Sequence, residues 1–140
     1  MVHSTSLASL SPAIVVHLVL AAGALVLGPV ALRLRKGSRG HRAIGYAWVT
    51  LMVGAALSSV FIRDFRLPNL FGYTPIHILT VMTLAGVGAA LYAIARRNVE
   101  SHRKGMWRAY LAGCVGAGSF ALMPGRYLGD LLWHHTLGLA

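Results

Sequence analysis

Four histidines recur at matching places along the sequence. His41 lies 24 positions after His17, and His102 lies 25 positions after His77. Neutral imidazole is the commonest metal ligand among side chains, and two imidazoles can hold one metal ion from opposite sides. The spacing therefore suggests two metal sites, each formed by a pair of histidines.

The segments that carry these histidines are too apolar for a soluble domain. The chain of 140 residues is 56% hydrophobic and 11% charged, and its mean hydropathy is +0.66. A helix needs about 20 mostly apolar residues to cross a membrane, and four stretches meet that length: 12–32, 43–62, 75–95 and 106–123. Short connections make consecutive helices antiparallel neighbours. We therefore expect an all-α integral membrane protein, an up-down four-helix bundle within a single domain of residues 1–140.

The basic residues indicate the orientation of these helices. The net charge of +10 is not spread over a surface that could read phosphates, so its placement excludes nucleic acid as a partner. Ten of the thirteen Lys and Arg residues lie in or beside the connections before residues 43 and 106, and three lie on the other side. Since basic loops stay in the cytoplasm, the pattern predicts both termini on the outer side.

The two halves of the sequence form an internal repeat, about 12–64 and about 75–130. Each half is a helical hairpin with one histidine near its outer start and a His-Arg pair after its basic connection. Helices one and three are diagonal partners in such a bundle, and so are helices two and four. The repeat therefore pairs His17 with His77 near the outer face and His41 with His102 near the inner face. Imidazoles in opposed pairs predict the axial ligation of two b-type haems.

Small and basic residues complete these predicted cofactor sites. Gly28 and Gly113 belong to small-residue stripes that could leave room for a macrocycle, although such stripes are also ordinary membrane packing. Four arginines near the helix ends could pair with haem propionates: Arg63 and Arg126 on the outer side, Arg42 and Arg103 on the inner side. Anchoring at lipid headgroups explains the same arginines equally well.

Other functions are also compatible with the sequence. A small transporter or channel could use the histidines for protons or metal ions, but the chain has only three Asp and Glu residues, and such pathways commonly recruit carboxylates. A cofactor-free structural membrane subunit could keep the histidines for packing alone. The single cysteine, Cys114, excludes an intramolecular disulfide and is expected to be a small filler. His3, His134 and His135 are expected to be solvated.

The chain also resembles known families. It is similar to a bacterial membrane protein family, domain of unknown function 2306, in the strings GHRAIGYAWVTLMVGAALSSVFIRDF, GYTPIHILTVMTLAGVGAALYAIARRNVESHRKGM and PGR. That likeness implies a multi-pass protein of the cytoplasmic (inner) membrane. The architecture resembles the core of the cytochrome b561 family, in which four histidines on four helices hold two b-type haems.

The resemblance to the cytochrome b561 core implies roles for the four histidines according to their positions. It implies that His17 with His77 ligates the outer haem, and that His41 with His102 ligates the inner one. If the chain is an enzyme, the likeness implies a transmembrane oxidoreductase. Its electron donor and acceptor would be a quinol, ascorbate or a soluble redox partner, and lipid-facing glycines could support a homodimer.

Overall fold

Four long helices make up most of the protein. The computed structural model describes residues 10–63, 70, 71, 73, 76–136 and 138. Its long helices are α1 (Pro12–Arg33), α2 (Arg39–Ser59), α3 (Ile76–Ala95) and α4 (Val99–Ala109). The expected helical character is therefore confirmed for this part of the chain.

Two of these helices, α1 and α3, are long and apolar enough to cross a membrane. Only 11% of the most apolar window in each is buried inside the protein. Large apolar side chains cover the outside instead, and Val19 and Val26 on α1 are 66% and 68% exposed. Contiguous apolar surface of this kind is typical of a face that contacts lipid.

Side chains cap α2 and α4 ahead of their apolar segments. The Ser38 hydroxyl oxygen accepts a hydrogen bond from the backbone N–H of His41 at 3.1 Å. The Asn98 side-chain oxygen accepts one from the N–H of Ser101 at 3.0 Å. Both helices therefore begin several residues before the predicted spans at 43 and 106, and their first turns contain the basic residues and the histidines.

The fourth long helix is longer than α4 alone. It continues through a π-helical segment, Tyr110–Gly116, into α5 (Ala117–Ala121), and the joining residues keep right-handed helical angles. A π-helical segment changes the rotation of the side chains that follow it relative to a regular α-helix. After a turn, α6 (Tyr127–Asp130) leads into a second π-helical segment, Leu131–Thr136.

Consecutive helices are neighbours in space. α1 packs along α2 and α3 packs along α4, while α2 also contacts α3 and the segment Tyr110–Gly116 contacts α1. One buried cluster has members from all of them: Ala24, Trp48, Met52, Val87, Ala90, Met106, Ala109 and Cys114. The helices therefore surround a common core, in which the Cys114 thiol lies 3.3 Å from the sulfur of Met52.

Polar side chains tie α1 to its neighbours. The Trp48 indole N–H donates to the carbonyl of Ala24 at 2.9 Å. Pro29 lies inside α1, and because proline has no N–H, the carbonyl of Leu25 lacks its usual helical donor. The Tyr110 hydroxyl donates to that carbonyl at 3.3 Å. Hydrogen bonds between helices are a main source of specific association in lipid.

A tight turn joins α3 to α4. Arg97 has a left-handed backbone with φ +60°, and the N–H of Asn98 donates to the carbonyl of Ala93 at 2.8 Å. This is the hydrogen-bond pattern of a Schellman helix end, where glycine is the usual left-handed residue. The turn brings α4 back along α3 within a few residues.

Some of the predicted features fall outside the described residues. These are His3, the side chains of His134 and His135, and residues 64 and 75, which bound the two repeats. The expected solvation of the three histidines therefore stays a prediction.

Candidate metal-ligand histidines

His41 and His102 make the same hydrogen bond in the two hairpins. The Nδ1 atom of His41 lies 3.0 Å from the carbonyl oxygen of Ala31 on α1. The Nδ1 atom of His102 lies 2.9 Å from the carbonyl oxygen of Ala90 on α3. In each case, the histidine in the first turn of the second helix reaches the last part of the helix before it.

These contacts fix which nitrogen of each ring carries the proton. A backbone carbonyl can only accept, so Nδ1 of His41 and His102 must donate, and the lone pair of the neutral ring then lies on Nε2. Within the described part of the chain, no hydrogen bond reaches Nε2 of either ring. Metal-bound histidines commonly have this arrangement, with the other ring N–H held by a carbonyl.

His17 has a similar environment at the opposite end of the helices. Its Nδ1 atom lies 2.8 Å from the carbonyl oxygen of Ala55 and 3.1 Å from the hydroxyl oxygen of Ser58, both on α2. The Ser58 hydroxyl donates to the same Ala55 carbonyl at 2.9 Å, so its oxygen is free to accept from the imidazole. His17 is therefore a third ring that donates through Nδ1.

His77 is held differently from the other three. Its Nε2 atom lies 3.2 Å from the carbonyl oxygen of Ser59 and 3.1 Å from that of Ile62. The ring also meets the ring of Tyr73 edge-on, with centroids 5.0 Å apart. α2 ends at Ser59, and the Ser59 carbonyl also accepts from the backbone N–H of Ile62 at 3.0 Å. His77 therefore binds the turn that follows α2. In this structure its Nε2 is occupied by the backbone.

The histidines lie at two separate depths. His41 is bonded at the level of Ala31, which lies 14 residues after His17 on the same helix. At 1.5 Å of rise per residue, the two levels are about 21 Å apart. Four histidines at such a separation cannot share one metal ion. Among the described residues, no three His, Cys, Asp or Glu side chains lie close enough to form a metal site.

The space beside the two predicted glycines is filled by protein. A Cβ atom on Gly28 would collide with the ring of Tyr110 and lie 3.1 Å from the Trp48 indole nitrogen. A Cβ atom on Gly113 would lie 2.8 Å from the terminal methyl of Met52. Both glycines therefore permit close packing of side chains from other helices, and Gly113 also lines a groove between α3 and α4. Their expected role beside a macrocycle stays a prediction.

Open space adjoins His41 instead. Gly45 follows one helical turn later, on the α2 stripe that continues with the buried Trp48 and Met52. No atom lies within 4 Å of the position that its Cβ would take. The donor chemistry of three rings therefore fits a metal bound through Nε2.

The chain matches the model of one protein family. A family model described as "Predicted membrane protein (DUF2306)" matches residues 14–133. The chain belongs to this family. The match covers every helix that carries a candidate histidine, and it confirms the resemblance found in the sequence. No curated protein and no solved structure matches the chain, and the likeness to the cytochrome b561 core stays a prediction.

The four candidate arginines of this DUF2306 protein differ in their surroundings. The guanidinium of Arg63 lies 5.5 Å from the ring centre of Tyr73, which itself contacts His77. The guanidinium of Arg126 lies 4.3 Å from the ring centre of Phe120. Both are cation–π contacts. Arg63 thus joins the cluster around His77, and Tyr73, which sequence reasoning missed, connects the two.

The two arginines at the other end of the DUF2306 helices are exposed. Arg42 and Arg103 directly follow His41 and His102, and neither has an ion-pair partner among the described residues. A bound anion could therefore reach both guanidinium groups. Their position beside the two histidines agrees with the expected role at propionates, although headgroup anchoring explains it as well.

Proposed function

We propose that this protein is a membrane-embedded b-type cytochrome whose histidines ligate haem in pairs. The observation that supports this most is the hydrogen-bond arrangement that His17, His41 and His102 share. Each ring donates through Nδ1 to a backbone carbonyl on a neighbouring helix, which sets the ring orientation and leaves Nε2 as the ligand atom. When bound, haem iron supplies one-electron redox chemistry.

The pair His41 and His102 has the better support. Each ring is held by a carbonyl in the last part of the preceding helix, Ala31 for His41 and Ala90 for His102, in two hairpins of the same connectivity. They belong to α2 and α4, which are diagonal partners in the proposed bundle. Gly45, one turn after His41, adds no side chain that would crowd the ring. The hydrogen bond at Nδ1 also makes each ring a stronger base at Nε2, which favours iron ligation.

The pair His17 and His77 requires one rearrangement. His17 already presents Nε2, whereas His77 uses Nε2 to bind the carbonyls of Ser59 and Ile62. To act as a ligand through Nε2, the His77 ring must turn away from the end of α2 and give up those bonds. Arg63 is the candidate partner for a propionate at this end, because it reaches the same cluster through Tyr73.

The proposal includes a membrane arrangement. All four long helices would cross the bilayer of the bacterial inner membrane, with the basic connections in the cytoplasm and both termini outside. The two sites would then lie near opposite faces, about 21 Å apart along α1. Electrons would pass between an unidentified donor and acceptor, such as a quinol, ascorbate or a soluble redox protein.

A structural role for the histidines is the second candidate function. All four rings bind carbonyls of other helices, so they would hold the helices together without any cofactor. A substitution to alanine cannot separate the two functions, because it removes the ligand and the hydrogen bond together.

Substitution to asparagine separates them for the rings that donate through Nδ1. The side-chain nitrogen of asparagine stands as many bonds from Cβ as Nδ1 of histidine does, so His41→Asn and His102→Asn keep a donor for the carbonyl and lose the iron ligand. The test is the absorption spectrum of protein purified in mild detergent from a haem-sufficient host, before and after reduction.

The cytochrome proposal expects a Soret band and a sharp reduced α-band in the wild type. It expects His41→Asn and His102→Asn to lose the same part of the spectrum, while their thermal stability without haem stays within about 0.5 kcal/mol of the wild type. A colourless wild type that cannot be reconstituted with haemin overturns the proposal. If asparagine then preserves stability where alanine does not, the structural role is the correct one.

A further inference from the structure

A long groove follows the outside of the second hairpin. It has a volume of about 410 Å³ and lies between α3 and the helix formed by α4 and Tyr110–Gly116. Leu79, Met82 and Gly113 lie towards one end and Ala93 and Ser101 towards the other, while Lys104 and Arg108 follow Ser101 along α4. None of the four candidate histidines lines it, although Gly113 does.

The length and the wall of this groove suit a hydrocarbon chain. Its lining on α3 runs from Leu79 to Ala93. The part from Leu79 to Ala90, which faces Gly105 beside Lys104, is about 16 Å at 1.5 Å per residue. One leaflet of a bilayer contributes about 15 Å of hydrocarbon. Gly86 lines the middle of the groove, and no atom lies within 4 Å of the position of its Cβ. An acyl chain therefore has both the length and the depth that it needs.

The charge between the Ser101 end and the middle of the groove suits a phosphate. Lys104 and Arg108 lie one turn apart on α4 and both line the groove, together with the hydroxyl of Ser101. Lys104 pairs with Glu100 at 2.6 Å, but both side chains are more than half exposed. Arg108 has no ion-pair partner among the described residues. A guanidinium, an ammonium and a hydroxyl together form a strong anion-binding set.

We propose that this groove binds an anionic phospholipid, with its phosphate at Arg108 and Lys104 and one acyl chain along α3. The basic part of the groove lies on the side that the charge distribution assigns to the cytoplasm, where anionic lipids give the membrane surface a negative potential. A zwitterionic lipid offers the same phosphate, but its headgroup cation is repelled by the two basic side chains. The inference does not depend on haem.

The preference for an anionic headgroup is tested by competition between two lipids. Native mass spectrometry of the detergent-purified protein measures the adducts formed with phosphatidylglycerol and phosphatidylcholine at equal concentrations. Phosphatidylglycerol is expected to predominate in the wild type. Arg108→Gln should reduce its retention about tenfold, since it removes one charge-assisted contact. Arg35→Gln, which removes an equal charge from the α1–α2 connection outside the groove, should leave retention unchanged.

Binding of the acyl chain in the groove is tested by substitutions at two nearby glycines. Gly86 lines the groove, whereas Gly88 does not, and both have open space at the Cβ position. Gly86→Leu should block the acyl chain and abolish retention of phosphatidylglycerol, while Gly88→Leu should retain it. Circular dichroism and thermal melting check that both variants are folded.

Three outcomes would overturn the lipid assignment. They are equal retention of both lipids by the wild type, equal loss in Arg108→Gln and Arg35→Gln, and full retention in Gly86→Leu. A dimer that Gly86→Leu converts to a monomer, with no lipid preference, would show that a second copy of the chain occupies the groove instead.

Discussion

Gly28 allows close packing between three helices. It faces the rings of Tyr110 and Trp48, and an added methyl group would overlap the Tyr110 ring. Both rings also bind carbonyls of α1, so neither can move without losing a hydrogen bond. We expect Gly28→Ala to destabilise the protein by about 1–3 kcal/mol, measured by thermal melting in detergent.

The matched control for that substitution is Gly88→Ala, where the Cβ has open space. This variant should melt close to the wild type or slightly higher, because alanine favours the helix over glycine. Equal melting temperatures for Gly28→Ala and Gly88→Ala would show that the rings do not pack as described.

The hydroxyl of Tyr110 compensates for the N–H that Pro29 lacks. It donates to the carbonyl of Leu25, which has no helical donor because of the proline. Removing it by Tyr110→Phe should cost about 0.6–1.7 kcal/mol, the range of hydrogen bonds between membrane helices. In a Pro29→Ala background the restored N–H satisfies Leu25, so the same substitution should cost much less.

A double-mutant cycle on chemical or thermal unfolding measures this coupling between Pro29 and Tyr110. An additive result, with Tyr110→Phe equally costly in both backgrounds, would contradict the compensation. The single variant Pro29→Ala supplies the reference, since it changes the helix without touching the tyrosine.

Sequence reasoning found the histidines but not their partners. The types and spacing of His17, His41, His77 and His102 were visible, because they repeat across two halves. Their acceptors are backbone carbonyls, which carry no side-chain signal and depend only on where neighbouring helices lie. His77 differs because α2 ends at Ser59, and the end of a helix within an apolar run cannot be read from hydropathy.

The space around the candidate site was also beyond the sequence. Gly28 and Gly113 were expected to leave room for a macrocycle; side chains from other helices lie against both positions, while Gly113 also borders the groove along α3. A small residue lowers the bulk of its own helix, but the facing helix decides what occupies the space. Gly45 has the same residue type and faces an open position.

The end of helix α3 contains a strained backbone conformation. Arg97 has φ +60°, a conformation that costs a residue with a Cβ about 1 kcal/mol relative to glycine. We therefore expect Arg97→Gly to stabilise the hairpin of α3 and α4 by about 1 kcal/mol in a thermal or denaturant unfolding experiment.

The neighbouring Arg96 supplies the control. It carries the same charge on the same connection, and it is not among the residues with positive φ. Arg96→Gly should therefore give no gain and a small loss. Stabilisation by both variants would point to charge repulsion in the connection as the cause, and not to the backbone conformation of Arg97.

Hydropathy and capping report different properties of the helices. The predicted spans begin at 43 and 106, where the apolar residues begin, whereas Ser38 and Asn98 cap the helices earlier. The apolar pattern indicates which residues suit lipid, and the capping residues determine where the helix starts. The π-helical segment Tyr110–Gly116 has no such local signal, because it arises from the packing of the whole helix.

The orientation of the whole molecule can be tested by labelling. After replacement of Cys114 by serine, a single cysteine is introduced at Leu70 or at Arg35, both of which are exposed. The excess of basic residues predicts that a membrane-impermeant maleimide labels the cysteine at position 70 in intact spheroplasts. The cysteine at position 35 should react only after the membrane is permeabilised.

The two labelling sites control for each other, since they lie in connections at opposite ends of the long helices. The reverse pattern would invert the proposed orientation and place the basic connections outside. Labelling of both positions in sealed cells would contradict the membrane-spanning arrangement.

The central claim for the whole molecule is that histidine pairs at two depths each hold one haem. The most direct test is the ratio of haem to protein, measured as the pyridine haemochrome on purified wild type, His41→Asn, His102→Asn and His17→Asn. The account predicts two haems per chain in the wild type, one in each single variant, and also one in the double variant His41→Asn with His102→Asn, because both substitutions remove ligands of the same haem. A wild type without haem after reconstitution, or variants that bind as much haem as the wild type, would contradict it.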